Sequence, residues 1–288
     1  MTPNPKQIIV DKDALVGINI NDLCDFARNH LMLCSDTLLY ECATTSESKR
    51  KNMLDRCDRL IKAGAYYCPC STRFLEFEGD LCCPYPPFLP DLNATDDIRK
   101  ACLVDIVLNS PHKIETIFSS RAEIARAEFL KLSQELKNSI DTEHLDVGKK
   151  IGQLPSDQFE RFKKLFEHIN TSDLRQMCVD SVPGEWIKDK AKFGLSPEWM
   201  SWQYVRLSGV IIQNYHYLRQ TGPMPRDENE RAEHDYQDME YVLLLSRADG
   251  ILTRDKKVVE PLARAAFPEK DVFSNLDEVP DSYLCHWD

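Results

Sequence analysis

Leu31-Met32-Leu33-Cys34-Ser35-Asp36-Thr37-Leu38-Leu39-Tyr40-Glu41 changes its period in the middle, and that change decides the fold. Four apolar residues in a row read as a short buried strand. Ser35 is then a fitting N-cap, Asp36 falls where the positive end of a helix dipole favours a carboxylate, and Thr37 to Ala43 continue as helix. The same alternation extends outward in both directions. Upstream, Ile8-Ile9-Val10 form an apolar run that ends in Asp11, and Asn21 to His30 read as helix. Downstream, Met53, Leu54, Cys57, Leu60 and Ile61 recur at helical spacing, and Gly64 suits the residue just past a helix end. Strand, helix, strand, helix, helix is an α/β opening.

From Tyr66 to Asp91 the pattern breaks. Cys68-Pro69-Cys70, Cys82-Cys83 and the prolines at 84, 86, 87 and 90 predict a connector or boundary. From Thr95 to Gln220 the apolar spacing is helical almost throughout, which predicts an all-helical block of four to six helices ended by Thr221-Gly222-Pro223. A helix over Asp227 to Ser246 follows, then a strand over Gly250 to Thr253, a helix over Lys256 to Phe267, and a strand around Val272 and Phe273. The expected organisation is thus an α/β/α sandwich in two halves, residues 1–90 and 226–288. A central parallel sheet spans both, and a helical insertion over 91–225 interrupts them.

Of 288 residues, 42% are apolar and 29% charged, enough to build a sizeable core and too apolar for wholesale disorder. The longest apolar stretches, such as Tyr241 to Leu245, are too short to cross a bilayer, and no leader-like segment is recognisable, so a cytoplasmic protein is expected. Eleven cysteines, an odd number without an export signal, fit reduced thiols. C-x-C and C-C spacing at Cys68, Cys70, Cys82 and Cys83 does not suit tetrahedral zinc. Gly148-Lys149-Lys150-Ile151-Gly152 lacks the spacing and the preceding strand of a phosphate-binding loop, which argues against nucleotide-driven chemistry.

The net charge is 36 − 47 = −11, and residues 226–288 alone contribute 8 − 16 = −8. Four acidic residues stand out by position. Asp11 closes the first strand, Glu41 lies on the helix after the second, Asp238 lies on the helix before the next strand, and Asp255 follows that strand. In a parallel sheet the C-terminal strand ends share one edge, so carboxylates distant in sequence can converge there. Hard oxygen donors of this kind suit Mg²⁺ or Mn²⁺. Asp235 competes with Asp238 as its i, i+3 neighbour, and Thr253 is placed to orient a ligand or water. Taken singly, Asp11 and Asp255 equally suit helix caps, and Glu41 a solvated helix face.

Ile9-Val10-Asp11, Leu33-Cys34-Ser35 leading into Leu38-Leu39-Tyr40-Glu41, Asp238-Met239-Glu240-Tyr241 and Gly250-Ile251-Leu252-Thr253-Arg254-Asp255 together resemble a PIN-domain ribonuclease over about half of the chain, with Ile251 to Asp255 the most specific piece. The resemblance implies that the acidic quartet falls on Asp11, Glu41, Asp238 and Asp255, that it binds Mg²⁺ or Mn²⁺, and that the substrate is single-stranded RNA. The chain departs from the family in its length, through the insertion, and in Asp13, where a neutral polar residue is more usual. Half of the basic residues, 18 of 36, lie in the helical block; Arg161, Lys163 and Lys164, or Lys188, Lys190 and Lys192 near Trp186, Trp199 and Trp202, are candidate RNA contacts, although tryptophans at helical spacing are more often core.

Two other functions stay open. Val10-Asp11-Lys12-Asp13 also matches the D-x-D of a haloacid-dehalogenase-like phosphatase, with Asp11 as nucleophile and Asp13 as acid/base. The chain also suits an inactive PIN-like scaffold whose helical insertion binds a protein partner, as in a toxin-antitoxin assembly. A homodimer is compatible with any of these readings.

Overall fold

The computed structural model describes residues 5–101, 103, 154–169, 176, 178–180, 184–221 and 228–285. Five parallel strands form one sheet: β1 (Gln7–Val10), β2 (Leu31–Ser35), β3 (Tyr66–Cys68), β4 (Gly250–Leu252) and β5 (Asp271–Phe273), in the order β3-β2-β1-β4-β5. Every residue of β1, β2 and β4 is buried, as expected of a parallel sheet covered on both faces. Ile8 pairs with Met32 on one side and Gly250 on the other, which makes β1 the central strand.

The helices follow from the crossovers. Between β1 and β2 lie α1 (Lys12–Gly17) and α2 (Ile20–Ala27). Between β2 and β3 lie α3 (Asp36–Thr44) and α4 (Glu47–Ala63). Right-handed connections place these on one face of the sheet, where α4 packs against α1, α2 and α3. After β3 come α5 (Ser71–Leu81), α6 (Leu92–Lys100), α7 (Gln158–His168), α8 (Met200–Thr221) and α9 (Glu228–Leu245), and α10 (Val259–Ala266) joins β4 to β5. On the other face α8 packs on α9, α9 on α10, and α7 on both α8 and α10. The three-layer α/β/α architecture expected from the sequence is therefore present.

Three local expectations change. The stretch Tyr66 to Asp91, read as a connector, contains β3 and α5; a three-residue strand followed by Pro69 is too short to show a period. A single helix was expected between the first two strands, but Asp11 caps a separate α1, its Oδ1 accepting from the Ala14 N–H at 2.6 Å. The last helix starts at Val259 rather than Lys256, because Asp255 accepts from the N–H groups of Lys257, Val258 and Val259. Ser35, as expected, caps α3 through the Leu38 N–H at 3.1 Å.

The described helices of the insertion share the main core. Phe162, Trp199, Trp202 and Val205 belong to the same apolar cluster as Ile9, Leu33 and Ile251. Residues 91–95 guard the open edge of β3: the Asp91 N–H donates to the Tyr67 carbonyl at 2.9 Å, and the Thr95 hydroxyl accepts from the Tyr67 N–H at 2.9 Å. Glu78, fully buried on α5, accepts from the N–H groups of Met200 at 2.7 Å and Ser201 at 2.9 Å, so its carboxyl closes the N-terminus of α8. No helix among the described residues is long and apolar enough to cross a membrane.

Gly64 ends α4 at φ +145°, and a Cβ there would lie 2.6 Å from the Ala27 carbonyl oxygen. Gly64→Ala is expected to cost about 1–3 kcal/mol from strain and displacement of this backbone contact. Urea titration would show it as a lower midpoint with unchanged slope; an unchanged midpoint would refute the assignment.

Candidate active site

Sheet order reverses between β1 and β4, the position at which open α/β sheets form a crevice beyond their carboxyl ends. Asp11 and Thr253 are the first residues past these two strands. Both are buried, at 2% and 0% exposure. The Thr253 hydroxyl donates to Asp11 Oδ2 and accepts from the Asp255 N–H at 3.1 Å, joining the two strand ends directly.

Glu41 enters from α3 and is 7% exposed. Its Oε1 lies 2.8 Å from Lys12 Nζ, and its Oε2 accepts from the Tyr241 hydroxyl at 2.5 Å. Helical spacing places Asp235, Asp238 and Tyr241 one turn apart on the same side of α9. Asp255 reaches the crevice from the loop after β4 while also capping α10.

Electrostatics show that these groups share one space. Burial pushes the Asp238 carboxyl well above the ordinary carboxylate range, and repulsion from Asp255, Glu41, Asp235 and Asp11 adds to it. Among the described residues Asp238 has neither a hydrogen-bond donor nor an ion-pair partner. Asp11 is pushed up to about 7, chiefly by burial; the bonds from Thr253 and the Ala14 N–H oppose this, and Asp13 and Glu41 contribute repulsion. For Lys12, burial works against the ammonium, but the adjacent Glu41 outweighs it and the net direction is upward. Asp13, expected as a supporting residue, is exposed on the first turn of α1.

The structure thus brings Asp11, Glu41, Asp235 and Asp255 within electrostatic reach of Asp238. No group of three or more His, Cys, Asp or Glu side chains among the described residues closes to a coordination shell. The side chains are held by other partners: Lys12 and Tyr241 on Glu41, Thr253 and a backbone N–H on Asp11, and α10 on Asp255. Hard carboxylate oxygens are the donor chemistry that Mg²⁺ or Mn²⁺ would need. Mg²⁺ keeps several waters and needs only one or two direct carboxylates, and each carboxylate oxygen retains acceptor capacity beyond one hydrogen bond. Asp238 has no donor among the described residues, and Asp255, Glu41, Asp235 and Asp11 are its charged neighbours.

Sequence reasoning missed Lys12 and Tyr241 because it searched for acids. Both carried a signal, since Lys12 adjoins Asp11 and Tyr241 is one helical turn beyond Asp238. Glu240, in the same Asp-Met-Glu-Tyr run, faces elsewhere. It accepts from the Ser71 N–H and hydroxyl and from the Tyr236 hydroxyl, fastening α9 to α5. His234 is exposed.

Of the nucleic-acid contacts suggested for the helical block, Lys163, Lys188 and Lys190 are exposed, whereas Trp199, Trp202 and Arg161 are engaged in the fold. Trp199 and Trp202 are buried at 4% and 8% exposure, and Arg161, at 5%, is bonded to Asn214 Oδ1 and to the Pro155 and Ser156 carbonyls. Lys188 pairs with Asp80 and Lys192 with Asp189. Cys68 closes β3, Cys70 precedes α5, and Cys82 and Cys83 follow it; all four are free thiols.

No protein-family model, curated protein or solved structure matches the chain.

Because burial pushes the Asp11 carboxyl up to about 7 from its ordinary value of 3.8, the folded chain holds this proton more tightly than the unfolded one. Its stabilising effect, on the order of a few kcal/mol, is complete below about pH 4 and declines as pH rises to about 7. Asp11→Asn keeps an acceptor for the Ala14 N–H and removes this dependence. Thermal melts at pH 5, 6, 7 and 8 should therefore show a smaller fall in Tm for the variant than for the native chain, with the variant the more stable at pH 8. Parallel curves would refute the assignment.

Proposed function

We propose that the chain is a PIN-like, metal-dependent endoribonuclease that hydrolyses phosphodiester bonds in single-stranded RNA. The observation that carries this reading is Asp238, a partly buried carboxylate with no donor among the described residues and within electrostatic reach of four other carboxylates. A charge buried without compensation is costly, and either a proton or a cation must offset it. A cation is favoured because four more acids surround the same crevice. The choice of RNA, and the PIN-like assignment, rest on the resemblance of Ile9 to Asp11, Leu33 to Glu41, Asp238 to Tyr241 and Ile251 to Asp255 to that family.

Asp238, with Asp11, Asp255 and Glu41, would hold Mg²⁺ or Mn²⁺. Such an ion supplies charge for a phosphate oxygen and a nucleophilic water at neutral pH. The remaining residues keep the acids in place. Thr253 fixes the Asp11 carboxylate by donating to Oδ2, and the N-terminus of α10 fixes Asp255. Tyr241 and Lys12 hold both oxygens of Glu41. In-line attack of water on phosphorus breaks the P–O3′ bond and leaves a 5′ phosphate and a 3′ hydroxyl. The reduced thiols suit a cytoplasmic setting.

The phosphatase reading is weaker. It needs Asp13 beside Asp11 as acid/base, yet Asp13 is exposed on α1, and the reading leaves Glu41, Asp238 and Asp255 without a task. An inactive scaffold binding a partner through the helical insertion would not need an uncompensated Asp238.

Incubation of labelled single-stranded RNA with the full chain is expected to give cleavage with Mn²⁺ or Mg²⁺ and none with chelator. Asp238→Asn and Asp255→Asn are expected to lower the rate by about a hundredfold or more while thermal melts show folded protein. Undiminished cutting by either variant, or no cutting with either ion, would exclude this mechanism.

A further inference from the structure

Cys42 Sγ and Cys57 Sγ lie 3.4 Å apart, and both residues are fully buried. Cys42 belongs to the last turn of α3 and Cys57 to the body of α4, two helices that pack on each other. A buried thiol ordinarily serves as a small apolar side chain, and one thiol alone would need no other explanation. Two sulfurs in contact are different. A disulfide holds them at about 2.05 Å, so the two need to come only roughly 1.4 Å nearer to bond. Nor do they belong to a metal centre, since no group of three or more His, Cys, Asp or Glu side chains among the described residues is placed to hold an ion.

We propose that Cys42 and Cys57 are a redox-modification site, a dithiol at rest that hydrogen peroxide closes to a disulfide joining α3 to α4 and that a thiol reductant reopens. Cys57 is held as a thiol by its hydrogen bond with Cys42 and by burial, both of which push its pKa well up, so Cys42 is the sulfur that attacks. Its attack on a peroxide oxygen forms S–O, breaks O–O and releases one water, leaving a sulfenic acid. The Cys57 sulfur then displaces the sulfenic oxygen. S–S forms, S–O breaks, and the hydroxyl leaves with the Cys57 proton as a second water. Two thiols are oxidised by two electrons, and one hydrogen peroxide is reduced to two waters. Access comes at the end of α3, where Thr44 and Ser46 are exposed. Helix ends open more readily than the core they cover, and hydrogen peroxide is little larger than water. The bond also bears on the crevice, because Cys42 follows Glu41 on the same helical turn. The assignment does not depend on the metal-dependent reading above.

The test exposes the reduced full chain to hydrogen peroxide at neutral pH, removes the excess with catalase, and unfolds the chain in N-ethylmaleimide to block every remaining thiol. Trypsin, cutting at Lys49, Arg50, Lys51 and Arg56, then separates the two cysteines for mass spectrometry. The expected product is the Cys42 peptide joined to the Cys57 peptide, two hydrogens lighter than the free pair, and lost when dithiothreitol precedes the maleimide. In Cys57→Ser, dimedone is expected to trap a sulfenic acid on Cys42. Exposed Cys83 reports that peroxide has acted. Maleimide on both Cys42 and Cys57 once Cys83 is oxidised, or Cys42 joined to any other cysteine, overturns the inference. Melting curves verify that the variant is folded, and the native chain decides the question if it is not.

Discussion

The Thr253 hydroxyl donates to the Asp11 carboxylate across the gap where the strand order reverses, and the rest of the crevice is built around this bond. It joins the ends of two strands separated in sequence by nearly the whole chain. Both residues are buried because β1 and β4 are central strands covered on two faces. An acid at the end of such a strand cannot reach bulk water, so its charge has to be met within the protein. The Ala14 N–H and the Thr253 hydroxyl answer that requirement, while Glu41 from α3 and Asp238 from α9 add repulsion.

The same carboxylates act as structural caps and candidate ligands, and the two roles do not compete for the same lone pairs. Asp11 closes the N-terminus of α1 with one oxygen, and Asp255 closes α10 with both. Capping holds each side chain in one rotamer at the rim of the crevice. It also explains why the acids interact electrostatically without closing to a coordination shell among the described residues: each has found a donor except Asp238. Like charges at this spacing relax toward whatever hydrogen bonds the scaffold offers.

Much of the scaffold was legible because its signals are local. Ser35 before an apolar helix, Gly64 after one, and the all-apolar runs Ile8 to Val10 and Leu31 to Cys34 each state their own structure within a few residues. β3 was not legible, since Tyr66 to Cys68 is too short for a period and is followed by proline. The separate α1 was hidden for a related reason, because Asp11 reads equally as a strand end and as a cap. In the site, the acids Asp11, Glu41, Asp238 and Asp255 could be picked out from their places after strands and on helices. The roles of Lys12 and Tyr241 depend on which way two side chains turn, and nothing in their neighbours encodes that.

The sequence by itself determined an α/β chain with strands at both ends, helices between them and an excess of acid in the last quarter, because propensity, capping and hydrophobic period act over a few residues. Only the tertiary structure decided which carboxylates are compensated. Residues 12 and 41, or 238 and 255, meet through crossovers whose handedness and packing set distances, and electrostatic interaction depends on distance and burial rather than on order along the chain. That is why, among the described residues, Asp238 emerges without a donor and Glu41 with two, a difference that separates one acid from another of the same chemical type.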